Sequence, residues 1–105
     1  MRDIIIYTIE DIKELLQPIF VKFNVKKAIL FGSYSKGVAT ERSDVDLILD
    51  SGLTGLNFVS LIEGVRLVLN KERDVFDKTH IIPNSKISAE ISKDGVVLYE
   101  DIERS

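Results

Sequence analysis

The sequence predicts a mixed α/β (α+β) fold: a small mixed β-sheet covered by helices. Two observations point there. Apolar residues recur at helical spacing in several segments, and short apolar or alternating runs fall between them, joined by short loops. No internal repeat or linker interrupts the 105 residues, so they are read as a single domain, 1–105.

Thr8, with Asp11 three residues later, has the form of a capping box. Ile12, Leu15, Leu16, Ile19, Phe20 and Phe23 then follow at helical spacing, with Pro18 expected to kink or restart the helix. Lys27 to Phe31 reads as a short buried strand running into a strand-to-helix turn at Gly32-Ser33. Asp44 to Asp50 alternates and is bounded by Ser51-Gly52, as a strand should be. Asn57 to Asn70 places Phe58, Leu61, Ile62, Val65 and Leu69 on one helical stripe. Arg73 to Phe76 is a third strand. Asn84 is expected to cap a helix through Ile87 and Ile91 that stops at Gly95, and Val96 to Tyr99 closes the sheet.

Composition removes several function classes. There are no cysteines and one histidine, His80, which excludes disulfides, thiolate zinc sites and a multi-histidine metal centre. Any bound metal is held by oxygen, which favours magnesium, with manganese as the other candidate. Hydrophobic residues make up 45% of the chain, enough for one packed core. No apolar run approaches the ~18 residues of a membrane span. Ile4-Ile5-Ile6 is too short for a signal-peptide core, so a cytoplasmic location is expected. The net charge is −3, from 17 acidic and 14 basic residues without a basic face, which argues against a grip on long nucleic acid. A nucleoside triphosphate arriving with its own metal is compatible with that balance.

The chemistry-bearing pattern is Gly32-Ser33, ten residues, then Asp44-Val45-Asp46. Residues i and i+2 of a strand share a face, so Asp44 and Asp46 project together while Val45, Leu47 and Leu49 face a core. Two neighbouring carboxylates repel, and keeping both ionised calls for a cation. Gly32 and the hydroxyl and backbone at Ser33 can hold phosphates at the turn. The ending Lys36-Gly37 lacks the Ser or Thr of a Walker loop. Aspartates flanking a strand, or a lone Gly-Ser turn, are common structural features. Their combination on two consecutive strands is not.

That combination resembles the signature of the polymerase-β-type nucleotidyltransferase superfamily. The Leu30-Phe31 and Ser43 to Leu47 contexts, Ile82-Pro83-Asn84-Ser85 and Val97-Leu98-Tyr99 resemble its minimal nucleotidyltransferases (MNT). The resemblance implies the polymerase β-like fold and a third carboxylate on a later strand, acting as metal ligand or general base. Asp74 matches that position and Asp77 is the rival; Arg73 departs from the apolar residue usual before it. Catalytic and metal-ligating roles thus fall to Asp44, Asp46 and Asp74, and nucleotide binding to Gly32, Ser33 and Lys36. Lys36 stands where the family carries a basic residue near the phosphates. Arg42 is read as surface, Tyr34 as packing beneath the turn and His80 as structural.

Larger members carry a separate acceptor-binding domain. Here the catalytic fold is expected to use the entire chain, leaving acceptor recognition to a small surface, self-association or another protein. Minimal nucleotidyltransferases are commonly encoded beside a HEPN-domain protein, often an RNase toxin, and some transfer AMP from ATP to its tyrosine. The resemblance therefore implies a magnesium-dependent transfer of AMP from ATP to a hydroxyl of a HEPN-type toxin, with this chain as antitoxin. The other reading is a non-catalytic module that neutralises its partner by forming a complex.

Overall fold

A computed structural model describes residues 6–102; Ile4 and Ile5 of the short apolar run lie outside them. The elements in chain order are α1 (Ile9–Lys22), β1 (Lys27–Phe31), α2 (Ser33–Lys36), β2 (Val45–Asp50), α3 (Gly55–Leu69), β3 (Arg73–Asp77), a 3-10 turn (Lys78–His80), α4 (Lys86–Asp94) and β4 (Val96–Glu100). The strands form one sheet in the order β3-β2-β1-β4. β1 runs antiparallel to both β2 and β4, whereas β2 and β3 are parallel and joined by α3. The sheet is mixed, as predicted.

The two faces of the sheet differ because β2 alternates. Val45, Leu47 and Leu49 are fully buried, together with Ala28 and Leu30 of β1. Against them lie Ile12, Leu16 and Phe20 of α1 and Leu61, Val65 and Leu69 of α3, also fully buried. Each such leucine or isoleucine contributes about 1.5–3 kcal/mol relative to an exposed position. The opposite face carries Asp46, Ile48 and Asp50, and α4 packs over its β1 side.

Most boundaries fall where the sequence places them. The Thr8–Asp11 capping box forms: the Thr8 hydroxyl accepts from Asp11 N–H at 3.0 Å, and the Asp11 carboxylate accepts from Thr8 N–H at 3.0 Å. Pro18, however, neither kinks nor restarts α1, which is continuous. The residue is exposed, so the carbonyl its ring leaves unbonded lies on the solvent side. Leu15 is likewise exposed rather than part of the buried stripe. α3 starts at Gly55, two residues before Asn57, and ends at Asn70 in the left-handed conformation. Ser85, not Asn84, caps α4: its hydroxyl accepts from Ser88 N–H at 3.2 Å, while Asn84 takes a positive φ of 65° in the preceding turn. Among the described residues no helix is long and apolar enough to cross a membrane.

Candidate active site

β1 delivers the chain to Gly32, whose φ of 77° belongs to the region that favours glycine. Space demands glycine as well, because a Cβ here would fall on the Asp46 carboxylate oxygen Oδ2. The sequence reading assigned Gly32 to the phosphate turn; the structure adds that it is the seat of the Asp46 side chain.

The following helix, α2, is a single turn. Lys36 N–H donates to Gly32 C=O at 3.2 Å, Ser35 Oγ donates to the same carbonyl at 2.9 Å, and Val38 N–H donates to Ser33 C=O at 3.0 Å. Gly37 closes the turn in the left-handed conformation. The N–H groups of Ser33, Tyr34 and Ser35 precede the first intrahelical bond and have no acceptor within the turn. Ser33 is half-buried, and no hydrogen bond within the described residues uses its hydroxyl. Lys36 is exposed and forms no ion pair among the described residues. Tyr34 is 3% exposed and packs into the core beneath the turn, as read from sequence. Lys71 reaches across to this region: its Nζ donates to Glu41 C=O at 2.9 Å and sits 6.0 Å from the Tyr34 ring centre, pinning the loop that leads to Asp44.

Asp46 pairs in register with Phe31 on the β1 side and with Asp74 on the β3 side. Cross-strand partners share a face, so the Asp46 and Asp74 side chains project to the same side of the sheet. Asp44 precedes β2 by one residue and is exposed, within electrostatic range of Asp46. Burial first, then the Asp74 charge and hydrogen bond, then the charges of Asp44 and Glu90, push Asp46 up to about 6. Glu90, on α4, was not singled out in the sequence. No local signal marks it, because only the packing of α4 over β1 brings it near β2.

The rival third carboxylate, Asp77, is occupied otherwise. It is 5% exposed, and its carboxylate accepts from Ser51 Oγ at 2.8 Å, Ser51 N–H at 3.3 Å, Thr79 Oγ1 at 2.7 Å and Thr79 N–H at 3.1 Å. Burial pushes this group up, but the bonds from Thr79 and Ser51 outweigh it and hold it below the usual carboxylate value. His80 belongs to the same structural knot, its Nδ1 accepting from Asp77 N–H at 3.3 Å and its ring meeting Phe58 edge-on at 5.7 Å. Arg73 and Lys71 do not pair with Asp74. Arg73 reaches Glu63 of α3 at 3.8 Å, on the other side of the sheet from Asp74. Arg42 is exposed and borders an open depression with Ile6, Ala39, Thr40 and Glu41.

Among the described residues no three carboxylate or imidazole groups close on one point as a ready-made metal cage. The donor set nevertheless suits magnesium, which usually binds through one or two carboxylates and completes its shell with phosphate oxygens and water. The Asp46–Asp74 pair, held together against its own repulsion, is the observation that fits.

Residues 10–104 match the Polymerase beta, Nucleotidyltransferase family. A Methanocaldococcus jannaschii protein named as a candidate protein adenylyltransferase, MJ0435, is 38% identical over 77 residues, covering 71% of this chain and 83% of that protein. By fold, the chain is similar to one from a toxin–antitoxin crystal structure with AMP-PNP: TM-score 0.69, 18% identity, 88% of this chain and 76% of that one. It is also similar to a chain of the tri-AMPylated Shewanella oneidensis HEPN toxin in complex with MNT antitoxin: TM-score 0.64, 16% identity, 92% and 76% coverage. Taken with the geometry above, these matches place the chain in the polymerase β nucleotidyltransferase family, and it is a nucleotidyltransferase.

Proposed function

We propose that this chain transfers AMP from ATP to a hydroxyl, a tyrosine, of a HEPN-type toxin partner and acts as its antitoxin. The observation that carries the reading is the convergence of the Gly32 turn, Asp46 and Asp74 on one open sheet face. The relative named as a protein adenylyltransferase and the fold shared with the AMPylated toxin–antitoxin complex support it.

In this mechanism the backbone N–H groups after Gly32 and the Ser33 hydroxyl hold the triphosphate, with Lys36 as a point charge beside it. Asp44, Asp46 and Asp74 are the residues that would hold magnesium, or manganese. Bound there, the cation supplies charge neutralisation to the phosphates. Asp74 takes the proton of the acceptor hydroxyl. The hydroxyl oxygen forms a bond to the α-phosphorus, the bond from that phosphorus to the bridging oxygen breaks, and pyrophosphate leaves with the electron pair.

The test is transfer of label from α-phosphate-labelled ATP, with magnesium, to the protein that co-purifies from the host. A labelled partner with wild type and none with Asp44→Asn/Asp46→Asn is the expected result. A co-purifying partner that stays unlabelled would favour neutralisation by complex formation alone.

A further inference from the structure

Two aromatic rings stand beside the carboxylate pair on the open face of the sheet. Phe31 pairs in register with Asp46, and Phe76 pairs with Ile48, two residues along from the Asp46–Asp74 pairing and on the same face. Strands β1 and β3 flank β2 and so lie about 10 Å apart. The two ring centres are nevertheless only 6.3 Å apart, with their planes tilted by 37°. The side chains therefore lean together across β2, over Ile48, which is buried. Phe31 is 4% exposed, Phe76 is half-buried and Asp74 is exposed, so this apolar wall opens toward β3. β3 is an edge strand, and α4 covers the β1 side of the face instead. Val75, between Asp74 and Phe76, turns to the other face and packs against the main core, to which Phe76 does not belong.

The proposed transfer has a direction across the sheet. With the triphosphate held at the end of β1, in-line displacement brings the entering oxygen to phosphorus from the side opposite the departing pyrophosphate. That side is β3, where Asp74 takes the acceptor proton. Phe76 follows Asp74 at about 7 Å along the strand, so an aromatic ring laid offset on Phe76 carries its hydroxyl toward Asp74. A serine hydroxyl brought to the same point would leave the ring face unused. We propose that Phe76 is a specificity-determining residue that seats the ring of the acceptor tyrosine, with Phe31 bracing it from behind. This rests on the reading of Asp74 as the base for the acceptor hydroxyl.

The test uses the full chain with magnesium and an ATP analogue carrying a methylene bridge between the α- and β-phosphates. Binding of blocked Gly-Tyr-Gly and Gly-Ser-Gly peptides is read by NMR titration. Wild type is expected to prefer the tyrosine peptide, and Phe76→Leu to weaken that peptide about threefold to tenfold, the scale of one aromatic contact. The serine peptide and the analogue are expected to bind Phe76→Leu as they bind wild type, and Phe76→Tyr, which keeps the ring, to match wild type throughout. Equal binding of the two peptides by wild type overturns the proposal without requiring any variant to fold. No loss in Phe76→Leu overturns it too, as does a loss of the analogue instead, which would make the ring a seat for the nucleobase. Label transfer to the co-purifying partner separates the two levels. A tyrosine peptide bound through Phe76 beside an unlabelled partner overturns the transfer reading and leaves the ring seat standing; a labelled partner with tyrosine binding indifferent to Phe76 overturns the seat alone.

Discussion

Two aspartates on neighbouring strands meet opposite fates. Asp46 on β2 is half-buried beside Asp74, with Asp44 and Glu90 adding negative charge, and is pushed up to about 6. Asp77 at the end of β3 is more buried, yet it is held below the usual carboxylate value because Ser51 and Thr79 supply four donors. Burial alone therefore does not decide what a carboxylate becomes. Where the fold supplies N–H and O–H donors, the charge is stabilised and the residue ties loops together. Where it supplies other carboxylates instead, the ionised form is disfavoured and the group holds its proton to a higher pH.

The sharpest way to break this contrast is to remove the Asp46 charge. Asp46→Asn is expected to lower label transfer at least about 100-fold, read as the rate of incorporation from α-phosphate-labelled ATP, since metal-held charge stabilisation is worth several kcal/mol. Asp77→Asn is expected to leave transfer by the folded fraction near wild type. Equal losses in the two variants would erase the distinction between them.

Changing the seat of Asp46 rather than its charge comes next. Gly32→Ala combines a positive φ with a Cβ placed on the carboxylate, so a loss of about 2–4 kcal/mol in stability is expected in denaturant titration. Asp77→Ala leaves the Ser51 and Thr79 donors without their acceptor and is expected to cost about 2 kcal/mol, seen as a melting temperature several degrees lower. Because the folded-state value of Asp77 is depressed, its contribution is present above the ordinary carboxylate range. It is lost as pH falls through that folded value.

The smallest effect is the pH dependence of Asp46 itself. Its folded value, about 6, lies above the reference value of 3.8, so the native state retains a proton that the unfolded chain releases. The Asp46 contribution to cation-free stability should thus be greatest below about pH 4, fall between about pH 4 and 6, and stay lower above. Because the group is partly open to solvent, the change is of order 1 kcal/mol. Thermal melts across that range should show the fall in wild type and not in Asp46→Asn, and magnesium at pH 7 should restore the wild type only.

The sequence by itself determined most of what local periodicity and turn chemistry encode, though it placed the α4 cap on Asn84 instead of Ser85. The alternation of β2 placed Asp46 opposite Val45 and Leu47, and Thr8 with Asp11 announced the start of α1. The glycine-serine and Asp-x-Asp spacing disclosed the family. Capping is decided within a few residues, and strand alternation within one strand, so neither needs knowledge of distant contacts.

Tertiary structure decided what depends on residues far apart in the chain. Whether Asp74 or Asp77 stands next to Asp46 turns on the parallel register of β3 against β2, which pairs Asp46 with Asp74 and carries Asp77 to Leu49. Arg73 looked like a departure beside the third carboxylate, but alternation sends it to Glu63 on the far face. Pro18 stays within a continuous helix because it faces solvent, and α4 settles on β1 because Gly95 carries no Cβ to strike Ile29. Each outcome rests on which side chain meets which across the sheet, and such long-range meetings leave no periodic trace in a single sequence.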